Sequence, residues 1–114
     1  MQECIFCKIV RKEIPADIIY EDNEVIILRD IRPVAPVHLL LIPKKHIPTF
    51  FDLKEEDAPI INKLHLAGAK IAEKLGYKDK GFRLVSNCQS DAGQLIFHVH
   101  YHLITGRPLH WPPG

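Results

Sequence analysis

Apolar positions along the chain fall into helical and strand-like groups that predict a mixed succession of elements. Ile5, Phe6 and Ile9 are spaced as on one side of a short helix, which ends near Lys12 before Ile14-Pro15-Ala16 breaks it. Two β-prone runs, Ile18 to Tyr20 and Val25 to Leu28, flank the polar stretch Glu21-Asp22-Asn23-Glu24 and predict an antiparallel hairpin. Asp30 to Pro36 holds two prolines and reads as a loop; His38 to Ile42 is the next strand, stopped by Pro43, with Lys44, Lys45 and His46 at its exit. Behind the capping-box sequence Asp52-Leu53-Lys54-Glu55, residues Ile60, Leu64, Ala67, Ile71 and Leu75 recur on one helical face until Gly76, and Pro59 fits only in the first turn. Phe82 to Ser86 is a further strand, Asn87 to Gly93 a polar loop, and Ile96 to Ile104 the strongest strand. The Pro-rich tail from Gly106 reads as extended. With no repeat or linker, this pattern predicts one α+β domain over residues 1–114, with an antiparallel sheet, one main helix and a short N-terminal helix.

Composition narrows the function classes. A chain of 114 residues, 46% hydrophobic and 25% charged, suffices for one folded domain and excludes intrinsic disorder. Its net charge of +1 is spread over mixed acids and bases, so no polybasic nucleic-acid surface is expected. No apolar run approaches the roughly 20 residues of a membrane span, and the N-terminus MQECIFCKIV lacks a secretory core, so the expected location is cytoplasmic. Cys4, Cys7 and Cys88 do not form a disulfide framework; Cys4 and Cys7 read as metal ligands or reduced core thiols.

The candidate chemistry lies in the last strand. Side chains two apart on a strand share a face, about 6.6 to 6.8 Å from one another, so His98, His100 and His102 stand together while Phe97, Val99, Tyr101 and Leu103 face the main helix. Such a row can be a nucleophile flanked by donors, a metal site for neutral imidazoles, or a solvated strand face. The preceding segment Ser90-Asp91-Ala92-Gly93-Gln94 tilts this toward phosphate, because Gly93 lets backbone come close to a ligand.

The segment His98-Val99-His100-Tyr101-His102-Leu103-Ile104 resembles the histidine triad motif. Phe6, Lys8-Ile9, Lys12 to Ala16, Asp30-Ile31, Pro33, Ala35-Pro36, His38, Ile42 to His46, Asn87, Ser90-Asp91, Gly93-Gln94 and the ending His110 to Gly114 extend that likeness to the Hint branch, the histidine triad nucleotide-binding proteins. The resemblance implies a homodimer whose sheet continues across the pair, binding purine nucleoside monophosphates and cleaving their amine conjugates without a catalytic cofactor. It makes His100 the nucleophile, with His38 and His102 supporting it and the phosphate oxygens and His98 as a positioning residue. Asp30 takes the ribose; Asn87, Gly93 and Gln94 lie on the phosphate side; Ile5, Phe6, Ile9, Ile14, Leu28 and Ile31 form the base pocket. Trp111 approaches the partner's site. The resemblance also implies that Cys4 and Cys7, with His46 and His98, can make a structural zinc site, the alternative being reduced thiols. His65, Cys88 and His110 receive no role.

One position departs from the branch. Leu95 stands where a Ser or Thr is common, so a donor to phosphate or leaving group is missing and slower turnover is expected. Two other readings of the same residues are a dinucleoside polyphosphate hydrolase or nucleotidyl transferase, and a nucleotide-binding scaffold with incidental catalysis.

Overall fold

The computed structural model describes residues 4–114. Helix α1 is Ile5–Val10, followed by strands β1 (Ile18–Glu21), β2 (Val25–Arg29) and β3 (Val37–Pro43). The main helix α2 spans Ala58–Lys74, and strands β4 (Arg83–Val85) and β5 (Tyr101–Thr105) follow it. The strands form one five-stranded sheet in the order β1-β2-β3-β5-β4, every neighbouring pair antiparallel. This is the α+β arrangement that the sequence pattern predicts.

Strand alternation gives the sheet two apolar faces, each with its own helix. Val25, Ile27, Val37, Leu39, Leu41 and Leu103 turn toward α2, where they pack with Leu64, Ala67 and Ala72. On the opposite face Ile26, Leu28 and Ile42 pack with Phe6 and Ile9 of α1. His38 lies between Val37 and Leu39, and His102 between Tyr101 and Leu103, so both imidazoles share the α1 face. The pocket forms there.

The last strand is shorter than expected, and Pro43 is the reason. The register pairs Leu41 with Tyr101, which would set Pro43 opposite Val99. Proline has no N–H for that ladder position. The Val99 N–H is donated instead to the Ile47 carbonyl at 2.6 Å, and the Pro43 carbonyl accepts Nε2–H of His98 at 2.7 Å. Residues 96–100 therefore leave the sheet, and Phe97, expected against the helix, is exposed over nearly half of its surface, 46%.

Other boundaries move for local reasons. The capping box is Thr49 with Asp52, which starts a 3₁₀ turn over Phe50–Asp52 and not α2. Helix α2 begins at Ala58 with Pro59 in its first turn, and Leu75 falls beyond the helix, exposed, ahead of Gly76 at φ +96°. At the helix start buried Asp57 accepts Nζ–H of Lys45 at 2.6 Å and the Lys54 N–H at 3.0 Å, which ties the segment carrying His46 to α2.

Helix and sheet come closest at Gly68. A Cβ added there would lie 2.5 Å from Cδ2 of Leu41 and 3.3 Å from Cδ1 of Leu103, both fully buried. Overpacking a filled core costs about 1–3 kcal/mol. Gly68→Val is expected to lose roughly that much stability by urea titration; an unchanged midpoint would show that the helix can simply move away.

Candidate active site

The hydrogen bonds of the histidines assign their tautomers. Nδ1 of His100 lies 2.8 Å from the His98 carbonyl, which accepts only from an N–H. The proton is thus on Nδ1, and Nε2 keeps its lone pair. The Val34 N–H donates to Nδ1 of His38 at 3.2 Å, so His38 carries its proton on Nε2 and gives it to Nδ1 of His102 at 2.8 Å. His102 in turn bears its proton on Nε2, a donor on the ring side away from His38. Oδ2 of Asp30 is 3.4 Å from Nε2 of His38, and its other oxygen accepts the Arg32 N–H at 2.7 Å.

Of these groups, Asp30, His100 and His102 open onto a cavity of about 490 Å³, with His38 behind them, within the size range of small-ligand sites. Ile5, Phe6, Ile9, Ile14 and Leu28 line one part of it; Asn87, Gly93, Gln94, His100 and His102 line another, with Asp30 and Ile31 also in the wall. Ile31 and Leu95 stand at the mouth, 89% and 90% exposed. Leu95 offers the cavity no hydrogen-bond donor from its side chain.

The loop before the histidine segment is held from within. Gln94 is buried, its Oε1 accepts the Gln89 N–H at 2.9 Å, and its Nε2 donates to the carbonyls of Pro48 and Ile96. Its side chain is occupied as a brace of the loop, although the residue lines the cavity. The Gly93 N–H donates to the Ser90 carbonyl at 3.0 Å while Gly93 takes φ +85°, a conformation suited to glycine. Trp111 does not line this cavity of its own chain and is 81% exposed, so its ring does not anchor the tail by burial.

A second cluster adjoins the first. Sγ of Cys4, Sγ of Cys7, Nδ1 of His46 and Nδ1 of His98 lie 3.2 to 3.7 Å from one another. Zn–S bonds of about 2.3 Å and Zn–N bonds of about 2.0 Å imply tetrahedral edges of about 3.3–3.8 Å, so the set fits zinc, the two sulfurs sitting slightly close. His98 is prepared as a ligand because its Nε2–H is bound to the Pro43 carbonyl, leaving the Nδ1 lone pair for the cluster. Asp30, His38 and His102 also group their donor atoms, but there the His38–His102 hydrogen bond occupies the space between the rings.

Three contributors escaped the sequence reading. The Pro43 carbonyl orients His98 and the Val34 N–H orients His38; being backbone, they leave no residue-type signal. Ser86 donates its hydroxyl to the His100 carbonyl at 2.6 Å, and its place beside Asn87 at the end of a strand was the available hint.

An antiparallel α+β sheet carrying linked histidines beside an apolar-walled cavity is the architecture of the histidine triad class. The HIT domain model matches residues 11–109, and the chain belongs to that family. It is 45% identical to the purine nucleoside phosphoramidase of Escherichia coli over 108 residues, covering 95% of this chain and 91% of that protein. A HIT family hydrolase from Legionella pneumophila superposes with a TM-score of 0.96 at 46% identity, covering 98% of this chain and all of the other. A Zn-bound histidine triad family protein from Mycobacterium smegmatis aligns at a TM-score of 0.80 and 33% identity, over 92% of this chain and 76% of that one.

Burial sets the protonation of the site. It lowers the pKa of His98 to about 4, against the pull of the Pro43 carbonyl, and pushes His100 and His102 below the usual 6.5. His100 and His38 add to the shift at His102 by charge repulsion. As pH falls from 6.5, the unfolded chain takes up protons at these positions before the folded chain does, so stability declines through that window. The imidazole resonances of His100 and His102 are expected to titrate below pH 6.5, with the urea midpoint falling over the same range. Titration of either ring above 6.5 would contradict the effect of burial.

Proposed function

We propose that this chain is a purine nucleoside phosphoramidase that hydrolyses amine conjugates of nucleoside monophosphates through a nucleotidyl intermediate on His100. The observation that carries the reading is the 2.8 Å bond from Nδ1–H of His100 to the His98 carbonyl, beside the cavity, which leaves Nε2 as a neutral nucleophile. The depressed pKa of His100 keeps that nitrogen unprotonated at neutral pH. The likeness to the Escherichia coli phosphoramidase supports the substrate class.

The purine rests among Ile5, Phe6, Ile9, Ile14, Leu28 and Ile31, and Asp30 accepts the ribose hydroxyl hydrogens. Nε2 of His100 attacks the α-phosphorus, the P–N bond breaks, and the amine leaves with a proton from solvent. The imidazolium so formed keeps its Nδ1–H on the His98 carbonyl. Nε2–H of His102, backed by His38, donates to a phosphate oxygen, with Asn87 and the loop at Gly93 alongside. Water then cleaves the Nε2–P bond, and the nucleoside monophosphate departs. With Leu95 at the mouth, its side chain supplies no hydroxyl to assist there, and slower turnover is expected.

Cys4, Cys7, His46 and His98 hold a structural zinc in this reading, and the protein is a homodimer. Support for the dimer comes from β4, which ends the sheet with an outer edge available for pairing, and from the exposed Trp111. Native mass spectrometry is expected to find two chains with one zinc per chain; a metal-free monomer would refute both statements.

His100→Ala is expected to reduce hydrolysis of adenosine phosphoramidate by at least ~10⁴-fold while AMP still binds. Quenched reactions of the unaltered protein should carry the nucleotidyl group on His100 by peptide mass mapping. Turnover surviving the substitution, or the adduct on another residue, would reject the mechanism.

A further inference from the structure

The cysteine pair is joined to the pocket in a way that the hydrolytic reaction does not use. Cys4 caps α1, its Sγ accepting the Cys7 N–H at 3.2 Å, and the two sulfurs are themselves 3.2 Å apart. Neither cysteine is buried, and His46 beside them is exposed, so a small oxidant can reach the sulfurs. Between the cysteines in sequence, Phe6 turns its ring edge-on to His98 and His100, with centroids 5.8 and 5.0 Å away. Phe6 also lines the cavity, together with Ile5 and Ile9 of the same helix. His98 completes the link, because its Nδ1 touches both sulfurs while its carbonyl holds Nδ1–H of His100.

We propose that Cys4 and Cys7 form a peroxide-sensitive modification site, and that their oxidation to a disulfide weakens nucleotide binding by shifting α1 and releasing His98. One thiolate attacks the peroxide, breaking the O–O bond to give a sulfenic acid and hydroxide. The second thiolate attacks that sulfur and expels the other hydroxide. In sum, two thiolates and one hydrogen peroxide yield one disulfide and two hydroxides, the sulfurs losing two electrons and the peroxide gaining them. A metal held by the four residues would lose both sulfur ligands. A disulfide needs its sulfurs about 2.05 Å apart, so the first turn of α1 must tighten, and the Nδ1 atoms of His46 and His98 lose their thiolate neighbours. Outer-shell supports of this kind typically matter about 10–100-fold.

The proposal rests on the reading of this cavity as a nucleotide site. Cys88→Ser protein, which leaves Cys4 and Cys7 as its cysteines, would be loaded with zinc and treated with hydrogen peroxide. Peptide mass mapping follows the disulfide, a chromophoric chelator the released zinc, calorimetry the affinity for AMP, and NMR the His100 ring resonances. Formation of the Cys4–Cys7 disulfide is expected to lower AMP affinity at least ~10-fold and to move the His100 resonances, with reversal by dithiothreitol and zinc. With Cys7→Ser added, peroxide should leave the affinity of that variant unaltered. A disulfide formed with unchanged AMP affinity and unmoved His100 resonances overturns the proposal, as does oxidation that yields no Cys4–Cys7 disulfide. Reduced protein that does not bind AMP counts against the nucleotide reading alone; the His100 resonances then decide the coupling.

Discussion

The missing N–H of Pro43 is the constraint around which the histidine region is arranged. Where β3 would continue to pair with β5, the ladder has no donor, and the chain from Ile96 to His100 turns toward residues 46–48. That detour lets the His98 ring enter the cysteine cluster and turns its carbonyl onto His100. Had the ladder run on, three histidines would stand in one plain row, equivalent in environment. The break makes them different: His98 fully buried, His100 tied to a carbonyl, His102 still in the sheet and linked to His38.

Much of this was legible in the chain. The apolar runs of β2 and β3 located those strands and the helical repeat from Ile60 led to α2, whereas the burial of the sheet's second face under α1 was not read from the chain. The pairing of His38 with His102 follows from strand alternation once β3 and β5 are neighbours, while His100 joins them from the segment outside the ladder. Less legible was which imidazole nitrogen carries a proton, since the deciding partners are the backbone groups of Val34, Pro43 and His98. The bracing part of Gln94 was hidden as well, because a polar residue beside Gly93 reads as a ligand contact whether or not its side-chain hydrogen bonds also hold the loop together. Phe97 failed for one physical reason: the strand period holds only while the ladder does.

The electrostatic character of the site follows from burial more than from charge. Asp30 is the carboxylate in the cavity wall nearest the imidazoles, and burial favours the neutral form of the His100 and His102 rings despite it. Neutral rings can alternate donor and acceptor along a line, and the path from Val34 through His38 to His102 does so. A protonated His38 could not accept from Val34, and the sequence of bonds would be broken at its start.

Helix α1 has six residues, well short of the roughly 12 to 15 at which an isolated helix becomes even marginal in water. Its order is therefore borrowed from Phe6 and Ile9 against the sheet and from the thiol cap at Cys4. The apolar end of the cavity is thus built from a segment with little persistence of its own, of the kind that opens locally before the rest of a domain unfolds. By linkage, any molecule that fills that end also lengthens the life of the helix forming its wall, so occupancy and local order rise together.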